Sequence, residues 1–446
     1  MAVGRINAYV LRGTIVGALG GLLFGFDTAV IAGTEQQLIQ VFALSDRQLG
    51  ITVSIALVGT VLGAIFSGEM GDKMGGREAL RILAACYVIS GLGCAFAWSW
   101  AALLFFRFIG GLAIGGSSVL GPVYIAEIAP ARWRGLLVGT FQINIVIGIL
   151  VAYLSNYLVS LFGLGLNEWR WQLGIAALPA LLFFVMLFTI PRSARWLVLK
   201  RRIPEGREVI ALLGADNPDA ELKEIVDSIH VEGSSHSEPL FQRKYLRPMF
   251  LAATVAGFSQ LAGINAILYY SNYIFEKAGF SKSSGLLQSV ALGATNLVFT
   301  LVAMSLIDKL GRKTLLLIGS VGMALCLGGV GMVFYTEQHQ NLLIIFLVVY
   351  IACFAISIGA VIWVYISEVF PNRVRSKGQS LGSSAHWIMN AIISGVFPVM
   401  AAHSRSMPFI FFSVMMAVYF VIVLFTYPET KGITLEGMQQ RLGIEY

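Results

Sequence analysis

Twelve long apolar stretches, separated by short charged or glycine- and proline-containing segments, dominate this sequence. A hydrocarbon core about 30 Å thick requires about 20 helical residues for one crossing, and each stretch is near that length. Because lipid offers no partner to an unpaired backbone group, such spans must be helical even where valine and isoleucine are frequent. The sequence therefore predicts an all-α membrane protein, with spans near 10–32, 48–70, 81–98, 101–126, 136–161, 169–190, 249–274, 284–307, 314–335, 342–366, 378–402 and 407–427.

The composition leaves little chain for a domain outside the membrane. Of the 446 residues, 57% are hydrophobic and only 12% are charged, so a large extramembrane enzyme is excluded. The net charge of +7 could indicate a nucleic-acid partner, but basic residues of a multi-pass protein usually collect in cytoplasmic loops, and we favour that explanation. We expect no nucleic-acid partner, no metal and no cofactor. The four cysteines all lie in apolar runs and are predicted to fill the core.

Basic residues predict the orientation in the membrane. They are concentrated in alternate loops, at Lys73, Arg77, Arg81, Arg132, Arg134, Lys309, Arg312, Lys313, Arg373, Arg375 and Lys377, whereas the other loops carry few. Loops rich in lysine and arginine remain in the cytoplasm. Both termini are therefore predicted to be cytoplasmic.

The chain also shows an internal repeat. GDKMGGR at 71–77 corresponds to DKLGRK at 308–313, and YIAEIAPARWRG at 124–135 corresponds to YISEVFPNRVRS at 365–376. Two parallel six-helix repeats usually place a solute site near the middle of the membrane. We predict a six-helix bundle at 1–190, a cytoplasmic linker with short helices at 191–248, a second bundle at 249–428 and a tail at 429–446.

Two opposite charges lie deep within predicted spans. Asp27 in the first span and Arg107 in the fourth each lack a compensating charge nearby in their own helix, so we expect them to meet. Rows of small residues, with Gly13, Gly17, Gly21 and Gly25 in the first span and Gly111 and Gly115 in the fourth, allow close helix contact. The pair is either a static lock between helices or a protonation switch, and we favour the switch.

Polar side chains inside apolar spans form a candidate solute site. Gln142, Ile145 and Ile149 share one helix face, whereas Gln260 and Asn265 would point about 140° apart unless the helix is distorted, which Gly263 permits. Amides and indoles suit a neutral solute with many hydroxyls, although any one amide can simply bind a neighbouring helix. The remaining candidates are Asn296, Trp363, His386, Trp387 and Asn390.

Titratable residues near the candidate solute site and at the predicted cytoplasmic helix ends have separate expected roles. His386 could carry protons, but a hydrogen-bonded neutral imidazole is the favoured interpretation. At the predicted cytoplasmic ends, Glu127 with Arg134 and Glu368 with Arg375 are expected to form clamps between helices that close the inner side in one state and break in another. The predicted gating network is completed by Asp72, Arg77, Asp308 and Arg312.

The chain resembles the sugar porter family of the major facilitator superfamily, nearest to bacterial proton-coupled hexose and pentose symporters. The motifs that carry the resemblance include GGLLFGFDTAVIAGT, RFIGG, SQLAGINAILYYSNYIF, WVYISEVFPNRVR and PETKG. It implies that Asp27 and Arg107 couple proton movement, and that Ile149 occupies a position that is aliphatic in hexose carriers. It also places Gln142, Gln260, Asn265, Asn296, Trp363 and Trp387 at sugar-contacting positions.

Three departures from the family pattern concern gating. Gly76 replaces a usual arginine, Arg192 and Ala194 alter the usual PESPRW motif, and Ala360 replaces a usual proline that breaks the tenth span. The first two changes weaken the expected charge network, and the third removes a helix breaker.

The sequence thus predicts a monomeric symporter of the plasma (inner) membrane. It would move one proton with one neutral monosaccharide, for which a hexose such as glucose is favoured, as two six-helix domains rock about the site. One alternative is a facilitative uniporter in which Asp27 and Arg107 are structural. Another is a sugar sensor, which the short predicted tail disfavours.

Overall fold

The computed structural model describes residues 6–130, 132–215, 217–234, 238–433 and 435–444, without the side chains of 230–234, 372, 435 and 436. Within these ranges every regular element is a helix. The outermost residues of the predicted cytoplasmic termini, 1–5 and 445–446, lie outside the described ranges.

In the described part of the chain, twelve helical segments are long and apolar enough to cross a membrane, and each overlaps one predicted stretch. The predicted all-α membrane fold is therefore confirmed. The segments, numbered spans 1 to 12 in chain order, are Ala8–Val30, Asp46–Met74, Gly76–Ala95, Trp100–Ile128, Arg134–Ser160, Gly165–Met186, Arg243–Tyr269, Lys282–Leu310, Arg312–Thr336, Leu342–Val369, Arg375–His403 and Met407–Thr426.

Three spans consist of more than one helix. Span 6 comprises Gly165–Asn167, Glu168–Gly174 and Ala177–Met186, span 7 comprises Arg243–Tyr245, Leu246–Leu261 and Ile264–Tyr269, and span 10 comprises Leu342–Ile356 and Ile358–Val369. The remaining helices lie outside the spans, at Glu35–Phe42, Ala194–Leu199, Ile203–Leu212, Pro218–Ser234, Ser271–Lys277, Asn372–Val374 and Leu435–Leu442.

The break in span 10 occurs although the proline expected at position 360 is an alanine. Ser357, with φ −116° and ψ −102°, separates the two helices, and its hydroxyl donates to the Cys353 carbonyl. A serine that bonds back to the preceding turn commonly bends a helix. The interruption therefore lies three residues before Ala360 and does not require a proline there.

Contacts divide the chain into two compact units. The first comprises Met1–Val30, Val58–Ala152 and Trp169–His236, and the second comprises Ile31–Leu57, Tyr153–Glu168 and Ser237–Tyr446. In the first unit, spans 1, 3, 4 and 6 share one apolar core that includes Leu23, Leu83, Ile114 and Phe183. Because lipid tails are as apolar as these side chains, close van der Waals packing holds such helices together.

The glycine row of span 1 contacts two neighbours within the first unit. A Cβ at Gly17 would lie 2.7 Å from the Ile125 side chain in span 4, and one at Gly25 would lie 1.8 Å from the Ile145 carbonyl oxygen in span 5. Glycine is therefore required where these backbones meet. The sequence predicts that small residues of span 4 also lie against span 1. Gly115 does not, because it faces span 2.

The second unit has an aromatic interior. Phe334 stacks on Phe409 with ring centroids 5.3 Å apart, and Tyr270 stacks on Phe397 at 5.0 Å. Such pairs add directional contacts to the general burial of apolar area.

The two members of the first repeated motif adopt the same turn. Gly75 has φ +89° and ψ 147°, and Gly311 has φ +88° and ψ 160°, each between the end of one span and the start of the next. Only glycine adopts such a conformation readily. This local identity agrees with the internal repeat, while the predicted domain limits at 190, 248 and 428 stay predictions. A helix at Pro218–Ser234 occupies the linker segment where the sequence predicts one.

Candidate functional site

Asp27 and Arg107 lie close together in the first unit. Oδ1 of Asp27 is 3.8 Å from the position that a Cβ on Gly110 would occupy, and Gly110 is about one helical turn from Arg107. Arg107 is only 5% exposed, and its charge acts on the carboxyl of Asp27. Asp27 keeps part of its surface accessible. The expected meeting of the two charges is therefore found, and their role in proton coupling stays a prediction.

Gln142 and Ile149 lie on span 5 in different environments. The side chain of Gln142 is exposed, whereas Ile149 is buried where spans 1 and 5 touch. A Cβ at Gly25 would be 3.0 Å from the backbone nitrogen of Ile149. Ile149 thus lies next to the helix that carries Asp27, and a sugar-contacting role for Gln142 or Ile149 stays a prediction.

Gln260 and Asn265 meet across a break in span 7. The helix Leu246–Leu261 ends before Gly263, which has φ +80° and precedes the helix Ile264–Tyr269. Nδ2 of Asn265 donates to Oε1 of Gln260 over 2.8 Å. The distortion that Gly263 permits is therefore present, and it brings the two amides together.

His386 joins this amide pair to two indole rings. Its Nδ1 lies 3.2 Å from Oγ of Ser259 and 3.2 Å from Nε2 of Gln260. The ring centroid of His386 is 5.2 Å from that of Trp363 and 5.1 Å from that of Trp387. The imidazole is hydrogen-bonded, as expected for the favoured interpretation. Ser259 is missing from the predicted site, because serines in helices commonly bond only to the preceding turn, as Ser259 also does through the Ala256 carbonyl.

Asn390 is held in a second polar group of the same unit. Its Nδ2 donates to the Tyr269 hydroxyl over 3.1 Å, and its Oδ1 accepts from Ser394 over 3.0 Å. Asn390 is fully buried, so these bonds satisfy an amide that would otherwise be costly to bury. Asn296, in span 8, is 8% exposed. Tyr269 was absent from the sequence prediction because tyrosine is common in apolar spans.

Glu78 organises the charges at the predicted cytoplasmic end of the first unit. Its carboxylate lies 2.6 Å from Arg77, 2.7 Å from Arg81 and 3.3 Å from Arg192. Arg192 belongs to the altered PRSARW motif, so the departure adds a cation to this network instead of removing a contact. Glu78 was not predicted, because it follows the recognisable motif by one residue.

Glu127 has other partners than the one predicted. It is hydrogen-bonded to Ser193 and interacts with Arg195, whereas the charge of Arg134 acts on Glu221 in the helix Pro218–Ser234. The indole of Trp196 donates to the Asp72 carbonyl over 3.1 Å. The linker residues therefore take the place that the prediction gave to Arg134, since they pack beside the end of span 4.

In the second unit, Arg312 is the centre of the predicted gating network. It lies 2.8 Å from Glu368 and 2.9 Å from Asp308. The predicted pairing of Glu368 with Arg375 is wrong in this structure, because Arg312, at the start of span 9, reaches Glu368 first. Nε and Nη2 of Arg375 are buried without a hydrogen-bond partner among the described residues.

Glu429 of the PETKG motif caps span 9. Its carboxylate accepts hydrogen bonds from the backbone N–H groups of Arg312, Lys313, Thr430 and Lys431 at 2.9 to 3.0 Å. Burial acts to raise the pKa of Glu429, but these four donors outweigh it, so its pKa lies below the usual value. The motif therefore acts as a charged helix cap.

Comparison with known proteins places the whole chain in one family. A model of the family "Sugar (and other) transporter" matches residues 13–442. The D-xylose-proton symporter of Escherichia coli strain K12 is 33% identical over 97% of this chain and 96% of that protein. The glucose transporter GlcP of Staphylococcus epidermidis is 35% identical over 98% of both chains.

Solved structures agree with this assignment. The inward open conformation of the xylose transporter XylE from E. coli matches with a TM-score of 0.87 and 32% identity, covering 97% of this chain and all of that one. Another solved structure of XylE, with a TM-score of 0.78, is described as a major facilitator superfamily proton:xylose symporter. The chain therefore belongs to the sugar transporter family, as a multi-pass membrane transporter of the major facilitator fold and not an enzyme.

Proposed function

We propose that the chain carries a neutral monosaccharide, with glucose as the foremost candidate, together with one proton across the plasma (inner) membrane by alternating access. Relatives that move xylose with protons or transport glucose support this class of substrate. The single observation that carries the proposal is the polar cluster of Gln260, Asn265 and His386 beside two indole rings.

This cluster has the chemistry that a sugar requires. Amides and an imidazole provide both donors and acceptors for hydroxyl groups, and an indole face packs against the C–H face of a sugar ring. Among the described residues that we propose as sugar contacts, none is a permanently charged side chain. A phosphate or carboxylate ligand would lack the cation that normally recognises it.

Proton coupling is proposed for Asp27 on the basis of its neighbour. A carboxyl next to a buried guanidinium changes its proton affinity when helix movements alter their separation or their contact with water.

The choice of glucose depends on Ile149. An aliphatic side chain there would pack against the additional hydroxymethyl carbon of a hexose, whereas an amide would suit a pentose hydroxyl. The preference expected from one such contact is about 10- to 200-fold at most.

We also propose roles for the cytoplasmic charges and for the orientation. Interactions of Arg312 with Glu368, and of Glu127 with Ser193 and Arg195, would stabilise one conformation and break in another. Nε and Nη2 of Arg375 have no hydrogen-bond partner among the described residues, and we propose that they bind one in the other conformation. Both termini are placed in the cytoplasm on the basic-loop count, and the monomer is taken as the functional unit.

The test is sugar-driven alkalinisation in proteoliposomes, with glucose, galactose, xylose and inositol as candidate substrates. A symporter removes external protons as it takes up its sugar, and glucose should give the largest signal. A facilitative uniporter would take up sugar with no pH change, and a sugar sensor would bind sugar without uptake. Either result would contradict the proposal.

A further inference from the structure

The segment that follows span 1 buries an acidic residue completely. Glu35 begins the helix Glu35–Phe42, belongs to the second unit and has no exposed surface. It lies outside the membrane spans, at the end that the basic-loop count places on the outer side. An ionised carboxylate is expensive to remove from water unless a cation or several donors compensate it.

The two carboxyl oxygens of Glu35 have different surroundings. Oε2 accepts the backbone N–H of Gly33 over 2.6 Å. Oε1 is buried without a hydrogen-bond partner among the described residues. A neutral carboxylic acid has one accepting carbonyl oxygen and one hydroxyl, so this asymmetry suits the protonated form. A proton on Oε1 would make this atom a donor, and the same unit also buries side-chain oxygens of Gln37 and Asn272 that lack a donor among the described residues.

The charges around Glu35 favour the neutral form as well. Glu276 and Lys282 both act on Glu35 electrostatically. Lys282 donates to Glu168 over 2.8 Å, and Glu276 accepts from Asn272 over 2.7 Å. Lys277 also acts on Glu276, whereas the ammonium group that acts on Glu35 itself, Lys282, is hydrogen-bonded to Glu168.

Two phenols complete the set of titratable groups that face Glu35. Tyr153 and Tyr273 both interact with it, and Tyr273 is also within the influence of Asp46 and Arg405. Tyrosine is neutral at physiological pH, so the phenols do not supply the missing positive charge.

The segment that carries Glu35 is packed on other parts of the second unit. A Cβ at Gly33, which has φ +99°, would lie 2.6 Å from the Leu286 side chain. Nε2 of Gln37 donates to the Gly165 carbonyl over 3.0 Å. Displacement of this segment would break these contacts and bring Glu35 into water.

We propose that Glu35 is a second proton-binding site, separate from Asp27, whose proton keeps the segment 31–42 packed against Gly165 and Leu286. Loss of the proton leaves an uncompensated negative charge on Glu35 and favours the conformation in which the segment is displaced. The proposal does not depend on coupling through Asp27.

The proton equilibrium of Glu35 supports this role. Burial, with a further contribution from Glu276, raises its pKa from 4.5 to about 8, despite the opposing effects of two backbone N–H groups and Lys282. A carboxyl with a raised pKa binds its proton more tightly in the packed state than in the displaced one. The packed state therefore loses stability as the pH rises from about 4.5 to about 8, by up to about tenfold per pH unit.

The first test is infrared titration of the full-length protein in lipid, with Asp27→Asn present so that the coupling carboxyl does not contribute. Between pH 6 and pH 9 the carbonyl band of a protonated carboxyl should disappear, with a midpoint near 8, and Glu35→Gln should remove that component of the difference spectrum. An identical pH difference spectrum in the Glu35→Gln protein would overturn the proposal.

A second variant reports on the same site if Glu35→Gln does not fold. Glu276→Gln removes a neighbouring negative charge and should lower the midpoint, whereas Glu208→Gln, on an exposed linker position, should leave it unchanged.

Maleimide labelling tests whether the proton controls the packing of the segment. Leu286→Cys is made in a background without native cysteines, and its labelling is normalised to that of the exposed Phe162→Cys. The normalised labelling should increase on the order of tenfold or more between pH 6 and 8. Normalised labelling that does not change with pH would show that the proton does not control the packing.

Discussion

The side-chain amide of Asn265 donates a hydrogen bond to Oε1 of Gln260 over 2.8 Å, across a break in span 7. Five residues on an unbroken helix would separate these side chains by about 140°. The left-handed conformation of Gly263 ends the first helix and starts the next, so both amides point to one place. A hydrogen-bonded pair of this kind is already ordered before a sugar arrives, which reduces the entropy lost on binding.

Gly263→Ala should damage both stability and sugar binding. The residue has φ +80°, and a Cβ there would lie 2.4 Å from Cδ2 of Phe412. Backbone strain and the clash together should cost about 2 kcal/mol or more. The matched control is Gly257→Ala in the same span, where an added Cβ would lie 4.0 Å from Cγ of Met389 and meet no nearer atom of another helix among the described residues. Thermal unfolding in detergent and sugar binding should distinguish the two variants, and equal behaviour would show that the break does not need glycine.

Gln260→Ala and Trp363→Ala should each weaken sugar affinity without preventing folding. The first removes hydrogen bonds to hydroxyls and takes a partner from Asn265 and from His386, which keeps Ser259. The second removes a stacking surface. A lost hydrogen bond costs about 1 kcal/mol and a stranded partner about 1–3, so we expect a fivefold to hundredfold loss. Tryptophan quenching reports affinity in the Gln260→Ala protein, and labelled-sugar binding does so in both. Wild-type affinity in both variants would move the sugar site elsewhere.

Asp27→Asn should abolish uphill accumulation of sugar while binding or exchange continues, because the amide mimics a protonated carboxyl. One charge moved across 100 mV supplies about 2.3 kcal/mol, so the wild type could concentrate sugar on the order of fiftyfold. Uptake against a gradient is measured in energised vesicles, with sugar exchange as the control for folding. Continued accumulation by the variant would exclude Asp27 as the coupling residue.

Ile149→Gln should narrow the preference for glucose over xylose. It removes an apolar contact for the hexose and offers an amide to the pentose, and the expected change lies within about 10- to 200-fold. Competition of labelled glucose uptake by unlabelled xylose, at matched expression, measures the ratio. If Ile149 only packs where spans 1 and 5 touch, stability would fall while the inhibition ratio stays the same.

Arg312→Ala should destabilise the conformation seen here. It removes contacts to Glu368 and to Asp308, and it leaves the partly buried Glu368 without its cation. We expect a loss of about 1–3 kcal/mol. Asp308→Ala, whose side chain is 80% exposed, is the matched control and should change stability by less than about 1 kcal/mol. Unfolding temperatures that fall equally in both variants would contradict the central place of Arg312.

Local patterns predicted much of the site because they depend on few neighbours. A glycine between two amides was enough to suggest a distorted span, and unpaired charges in apolar spans were enough to suggest that Asp27 and Arg107 meet. Residues such as Ser259, Tyr269 and Glu78 were missed, since a serine, a tyrosine or a charge at a helix end is common and carries no local signal. Their importance depends on what lies opposite them in space.

The sequence by itself determined the number of spans, their helical nature and the family, because apolar length and backbone satisfaction in lipid leave few alternatives. Tertiary structure alone decided which charge pairs with which. Glu368 bonds to Arg312 and not to Arg375, and Glu127 faces Ser193 and Arg195 instead of Arg134. Spacing along a chain limits which side chains share a helix face, but a salt bridge between helices depends on how those helices pack, and packing is settled by contacts along the whole length of each helix.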